Sequence, residues 1–461
     1  MRKPSKANTS PSPRISKPSA AAVKGFAGLF MSRLNRTAIS TMEAIRSHPA
    51  GAPVRKLSQA KLLMVTVFHY LTHLPGGLQD HLLLFGVKMS ASSLSQRRQA
   101  SPWEVFVELM KLFLEPVAQP DKHPEGFYLG RRLVAVDGTE FSLVNTEDIQ
   151  EKVAKRRSRR GKSAFAKLPC AVLVELMHHN PLAAEVGQKR ESEWALSLRL
   201  VDQIPTNSLV LLDRLYGKGA FVAKLFHRRI DFLVRVGLQP KILEVKKCLR
   251  DGSRIVVVGV RDPKSRSQIV ERVELREIIV KAQRGDGRPV TVRLWTSLLD
   301  EKSAPAEELA RLYMKRWEQE LFFRELKHQM KSRGLLQSQT LQTACQEVAA
   351  MLVGAAILAK ERAKLQAGQP LNRTVSLLKT WAYLEPLWAV LSVCSDILTG
   401  NQKKQMVKKF MDLIGQMLTP KRRDRGCPRV IRQPVRRWAR KLYQRETSGE
   451  IVIQVVSDLP S

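Results

Sequence analysis

The chain has 461 residues, 44% of them hydrophobic and 26% charged, which is enough for two or three folded domains and excludes a disordered chain. Lys and Arg outnumber Asp and Glu by 78 to 42, a formal charge of +36, so the partner to expect is a polyanion, with nucleic acid first and a membrane surface as the rival. No run reaches the roughly 18 apolar residues of a spanning helix, and no secretory signal follows the basic N-terminus. The cysteines (Cys170, Cys248, Cys345, Cys394, Cys427) form no CxxC pair, which fits a reducing compartment rather than a zinc module.

Residues 1 to about 25 are rich in Pro, Ser and Lys, so they read either as a solvated tail or as a basic arm along a phosphate backbone. From about 40 to 117 the periodicity is helical, as in "KLLMVTVFHYLTHL" and "PWEVFVELMKLFLEP". His69 and His73 stand at i and i+4 there, but without the Glu of a metalloprotease helix they read as ordinary helix-face residues. In "LFGVKMSASSLSQRRQ", Gly86 can make a turn and Ser90 can cap a helix carrying Gln96, Arg97 and Arg98. This is either a helix-turn-helix that sets Arg97 and Arg98 against DNA or a common helical hairpin.

The pattern then changes. "RRLVAVDGTEFSL", "LPCAVLVELMH", "NSLVLLDRLYG" and "DFLVRV" read as buried strands, with helices over 191–204 and 220–230 between the later ones. Residues 237–295 alternate and carry turn signals, so they look like a separate β-rich segment. After 303 the chain is helical again, and "VAAMLVGAAILA" (348–359) reads as a buried helix. The basic run 420–441, with Trp438 interleaved, is either a solvated face or a set of phosphate contacts.

Two carboxylates stand where chemistry is possible. Asp137 ends "LVAVD" and Asp213 ends "LVLLD", and a carboxylate at the end of a buried strand can reach a cation at the lip of a sheet. Taken singly, each reads more readily as a turn residue before Gly138 or a cap before the helix near 220 than as a ligand. "YMKRWEQELFFRELK" (313–327) adds a third: at about 100° per residue, Tyr313, Arg316, Glu320 and Lys327 fall within about 60° of arc, while Glu318 and Glu325 face away. An exposed helix with one Arg316–Glu320 pair accounts for two of these four residues. One carboxylate among three donors suits a metal-bound phosphodiester, and three carboxylates suit two hard cations about 4 Å apart. "RRGKSAF" has the GKS of a phosphate loop, but Arg156 stands where the first Gly is required, so Gly161, Lys162 and Ser163 predict no nucleotide site.

With these motifs in place the chain resembles bacterial DDE-type insertion-sequence transposases, specifically the insertion sequence four family, whose signature is Tyr, two residues, Arg, three, Glu, six, Lys. "Y-MK-R-WEQ-E-LFFREL-K" matches every spacing, and "VAVDGTEF", "LVLLDRLYG", "RLWTSL" and "SASSLSQRR" extend the resemblance over about 85–440. The resemblance implies an α/β, RNase H-like mixed sheet with helices (126–236 and 296–365), interrupted by a β-rich insertion (237–295). A helical DNA-binding region (26–125) would precede it and a basic helical region (366–461) would follow. It implies that Asp137, Asp213 and Glu320 bind two Mg²⁺ or Mn²⁺ ions and that Tyr313, Arg316 and Lys327 contact the DNA strand. It further implies a homodimer acting in the bacterial cytoplasm, at the nucleoid, on double-stranded DNA (inverted-repeat ends and target), with no membrane and no nucleotide cofactor. Some relatives stack a flipped base on a Trp of the insertion, and Trp295 is the nearest here. The rival expectations are a non-catalytic DNA-binding protein derived from a transposase and a nuclease of the same fold that does not join strands.

Overall fold

The computed structural model of the chain describes residues 20–34, 36–45, 57–153, 155, 157–158, 161–187, 191–261, 265, 268–283, 289–330, 335–367, 369, 373–420 and 453–455. Residues 1–19 of the basic arm, and the basic run after residue 420 with Trp438, lie outside the described residues.

Five strands position the site: β1 (Arg131–Leu143), β2 (Ala166–Glu175), β3 (Asn180–Val186), β4 (Ser208–Leu212) and β5 (Asp231–Val236). They lie in the order β3-β2-β1-β4-β5; β2 runs antiparallel to β1 and to β3, while β4 is parallel to β1 and β5 is parallel to β4. The expected α/β mixed sheet is therefore present. Parallel neighbours need a crossover, and helices supply it. The strand β3 carries no clear strand signal because Pro181 lies inside it, and it forms at the sheet edge, where a missing N–H breaks no interior ladder. Its register with β2 shifts between Leu173 and Val174, beside that proline.

The β-rich segment does not stand apart. Its strands β6 (Ile242–Cys248), β7 (Arg254–Arg261), β8 (Ile269–Gln283) and β9 (Pro289–Thr296) continue the same sheet in the order β5-β9-β8-β7-β6, because β9 pairs antiparallel with β5. Arg276 on β8 locks this extension to the helical part. Its buried guanidinium pairs with Asp251 and donates to the Ala304 carbonyl at 2.6 Å, and Asp251 in turn accepts the Ala306 N–H at 2.8 Å.

The helices used below are α1 (Gln59–Leu71), α2 (Leu78–Leu83), α3 (Ala91–Gln99), α4 (Trp103–Phe113), α5 (Glu193–Leu200), α6 (Gly219–His227), α7 (Ala306–Tyr313), α8 (Trp317–His328), α9 (Leu341–Gln366), α10 (Leu377–Val393) and α11 (Gly400–Gln416). Strand alternation splits the core by faces. Val134 and Val136 pack with Leu196 and Leu200 of α5 and with Phe221 of α6. Leu133 and Ala135 face the other way, on to Leu309 and Leu312 of α7. Farther along β1, Phe141 and Leu143 join Phe322 and Leu326 of α8 and the long helix α9. Among the described residues α9 alone is long and apolar enough to cross a membrane, but 89% of its apolar window is buried inside the protein, as a core helix requires.

Candidate active site

The crevice opens where β1 and β4 part. Their parallel pairing ends at Ala135 and Leu211, and Asp137 and Asp213 each follow two residues later. Two residues is one strand period, so both carboxylates keep the face of Ala135 and Leu211, the face covered by α7 and α8. Asp213 follows the carboxyl end of β4, whereas β1 runs on to Leu143, so Asp137 lies within its strand rather than at the end that the sequence pattern implied.

The segment 313–328 is not one continuous α-helix. The helix α7 ends at Tyr313, a 3₁₀ turn takes Met314–Arg316, and α8 begins at Trp317. Three steps of about 120° set Arg316 over Tyr313, and later steps of about 100° put Glu320 and Lys327 at about 40° and 20°. The polar stripe is thus narrower than a regular helix would make it.

Arg316 lies between two of the carboxylates. It donates to Glu320 Oε1 at 2.6 Å, and its other nitrogen stands 3.6 Å from Asp137 Oδ2. Burial pushes the Asp137 carboxyl up to about 7, with the Asp213 charge adding to the push and Arg316 opposing it. Gly138 N–H donates to Asp137 Oδ1 at 2.9 Å, and Leu215 N–H donates to Asp213 Oδ1 at 2.6 Å, so backbone turns fix both groups. The Tyr313 hydroxyl donates to the Leu212 carbonyl at 3.0 Å, one residue before Asp213, and burial raises its phenol so that it stays protonated. The Lys327 ammonium sits 5.5 Å from the centre of the Phe141 ring, where burial lowers its pKa.

The two glutamates that face away from the stripe have a partner the sequence did not reveal. Buried His179 meets Glu325 Oε2 through Nδ1 at 2.5 Å and Glu318 Oε2 through Nε2 at 2.8 Å, anchoring the back of α8 to the turn between β2 and β3. A second unforeseen residue is Glu193 at the start of α5, whose carboxylate accepts the Tyr216 hydroxyl at 3.0 Å. A His at the end of the 3₁₀ turn Leu176–His178 and a Glu in a first helical turn carry no sequence signal beyond capping.

Other expected positions fall elsewhere. The turn at Gly86 (φ 72°) and the cap at Ser90, whose Oγ accepts the Ser93 N–H at 3.2 Å, form as expected. Arg97 and Arg98 are half-buried and engage protein. Arg97 donates to the Leu57 carbonyl at 2.6 Å, and Arg98 reaches Gln346 Oε1 at 3.2 Å, Ser338 Oγ at 3.0 Å and the Thr343 carbonyl at 2.7 Å. The exposed side of α3 carries Ser92, Ser93, Ser95, Gln96 and Gln99 instead. Trp295 is 4% exposed and donates to Glu277 Oε1 at 3.1 Å, so it belongs to the core and offers no stacking surface. His73 lies beyond the end of α1 and meets Glu385 and the Gln329 carbonyl.

Among the described residues no three His, Cys, Asp or Glu side chains are gathered closely enough to hold a metal as they stand. Asp137, Asp213 and Glu320 are nevertheless a hard-oxygen donor set, and Arg316 supplies the positive charge that Asp137 and Glu320 share.

The family model described as "Transposase DDE domain" matches residues 128–355, the stretch that carries both aspartates and Glu320. The chain is 26% identical over 325 residues to the transposase InsG for insertion sequence element IS4 of Escherichia coli (strain K12), covering 67% of this chain and 70% of that protein. A cryo-EM structure of the piggyBac transposase synaptic complex with hairpin DNA aligns with a TM-score of 0.43 at 7% identity, over 86% of this chain and 84% of that one. The matched domain and the insertion-sequence relative together support a DDE transposase of the insertion sequence four type.

Proposed function

We propose that this transposase binds the inverted-repeat ends of its insertion sequence, cleaves phosphodiesters there and joins the released 3′ hydroxyls to target DNA. In this reading the sheet is an RNase H-like catalytic fold, and Asp137, Asp213 and Glu320 hold two Mg²⁺ ions, or Mn²⁺ in their place. The observation that carries it is the crevice itself: two carboxylates repel each other where β1 and β4 part, and the third waits across from them on Arg316.

Ions bound there would activate the attacking oxygen and stabilise the leaving oxygen of an in-line displacement. The chain's own residues do the rest. When Glu320 leaves Arg316, the freed guanidinium can take a phosphate oxygen in the planar, two-point manner that suits it. Lys327, along the same stripe, holds the strand farther from the cut. Tyr313 keeps its hydroxyl on Leu212 and so fixes the backbone that presents Asp213.

The N-terminal helices and the basic C-terminal region would engage ends and target, and the protein would act as a homodimer on paired ends. An exposed apolar line on α10 supports the dimer: Leu378, Ala382, Pro386, Val390 and Val393 follow one another at helical spacing, and Ile397 continues them.

The test is cleavage of labelled linear DNA carrying the native flanking sequence, with Mg²⁺, Mn²⁺ or EDTA, for wild type beside Glu320→Gln. Metal-dependent nicking at the element end and transfer to a second DNA, both lost in the variant with binding intact, is the expected result. Binding without cutting under any metal would assign a non-catalytic DNA-binding protein, and cutting without transfer a nuclease.

A further inference from the structure

The carboxylate of Glu193 approaches the crevice from behind, through the one residue of β1 that has no side chain. A Cβ on Gly138 would lie 2.2 Å from Glu193 Cγ and Cδ and 2.7 Å from its Oε1, so the approach exists only because residue 138 is glycine. Strand alternation places Gly138 on the face of α5, opposite to Asp137, so Glu193 lies across the backbone from the first aspartate.

The same carboxylate also reaches the second aspartate's loop. Fully buried Tyr216 donates to Glu193 Oε1 at 3.0 Å and lies 3.0 Å from Ser197 Oγ, while its own N–H bonds to the Asp213 carbonyl at 3.2 Å. Glu193 is held in turn at the start of a capped helix, where Ser192 Oγ accepts the Ala195 N–H at 3.2 Å. One side chain therefore touches the backbone beside Asp137 and, through Tyr216, the backbone of Asp213.

A further negative charge beside two aspartates that already repel costs folding free energy unless a cation gathers them. We propose that Glu193 is a positioning residue of the catalytic centre: it braces Asp137 within β1 and Asp213 after β4 from behind and adds a fixed charge that strengthens divalent-cation binding at the front. This rests on the metal reading of Asp137, Asp213 and Glu320. Glu193 itself is no ligand, since the β1 backbone lies between it and the crevice.

The experiment is Mn²⁺ binding to the full-length protein, read by electron paramagnetic resonance, with thermal unfolding in EDTA alongside. Wild type is compared with Glu193→Gln, which keeps an acceptor for Tyr216, with Glu193→Asp and with Asp213→Asn. Glu193→Gln is expected to unfold no lower than wild type, because a repulsion is gone, yet to bind Mn²⁺ about tenfold more weakly or worse, with partial recovery in Glu193→Asp. A lower unfolding midpoint with wild-type affinity in the folded protein would make Glu193 merely structural and overturn the proposal. If wild type binds Mn²⁺, Asp213→Asn does not, and Glu193→Gln matches wild type, this inference alone fails. If wild type does not bind Mn²⁺, the metal reading fails and takes this inference with it.

Discussion

Arg316 and Glu320 are joined across one turn by a 2.6 Å bond, and the same guanidinium leans towards Asp137 at 3.6 Å. Arg316 thus supplies the positive charge that Glu320 and Asp137 share. Replacing it with methionine should lower stability in EDTA by about 1–2 kcal/mol, a moderate value because Glu320 is partly exposed to water. Mn²⁺ should then raise the unfolding midpoint more in the variant than in wild type, since no arginine has to be displaced. DNA cleavage should nevertheless fall, because the phosphate contact is gone. Equal Mn²⁺ shifts in the two proteins would show that Arg316 does not compete for the carboxylates.

Asp137 gives stability a pH dependence of definite sign. Burial and Asp213 push its carboxyl up to about 7, against about 3.9 in an unfolded chain. Between those values the folded protein holds a proton that the unfolded chain has lost. Its contribution is complete below about pH 4 and disappears as pH rises through about 7, amounting to about 2–4 kcal/mol in EDTA. Denaturant titrations of wild type and Asp137→Asn across that window should show a falling slope in the first and its loss in the second. Parallel slopes would mean that Asp137 is already ionised at acid pH.

Much of this centre is legible in the amino-acid sequence alone. A hydrophobic run closing on Asp is a weak signal taken singly, but strands do form over both such runs, at 131–143 with Asp137 inside the strand and at 208–212 with Asp213 just after it. The polar stripe persists although the helix is not regular, because a 3₁₀ turn alters phase by only tens of degrees. The features that stay hidden depend on tertiary neighbours. Strand Asn180–Val186 is disguised by a proline that only an edge tolerates. Arg98 looks like a DNA contact until α9 is packed against it, Trp295 like a platform until the sheet closes over it, and Glu193 like a cap until Gly138 is set beside it.

His179 should set the alkaline limit of the α8 anchor. Burial opposes its charge, but Glu325 and Glu318 outweigh burial and raise its pKa above the usual 6.5. The ion pairs therefore contribute fully below about pH 6.5 and are lost as pH climbs through the raised value, a window above that of Asp137. His179→Gln should cost about 1–3 kcal/mol at pH 6 and progressively less at higher pH. A penalty that does not change between pH 6 and 9 would show that the imidazole is neutral in the folded protein.

Arg98 should behave as a core residue. Its removal takes three hydrogen bonds from Gln346, Ser338 and Thr343 and a positive neighbour from buried Glu347. Arg98→Ala should lose about 2–4 kcal/mol of stability while the salt dependence of DNA binding by the folded protein keeps its slope. A slope reduced by about one with an unchanged unfolding midpoint would return Arg98 to the phosphate backbone.

The exposed line on α10 bears on the dimer. Val393 is 61% and Ile397 79% exposed, with Leu378 at 52% and Val390 at 40%, and among the described residues nothing covers this face. An aspartate at Val393 should leave the monomer's stability within about 0.5 kcal/mol, because no core contact is lost. In a subunit interface the same charge would be stripped of water without a partner, costing about 2 kcal/mol or more, or roughly thirtyfold in the dimer dissociation constant. Sedimentation of Val393→Asp beside wild type, with and without end DNA, reads the difference. If the variant dimerises as wild type does, the interface lies on another surface and the apolar line belongs to a different contact.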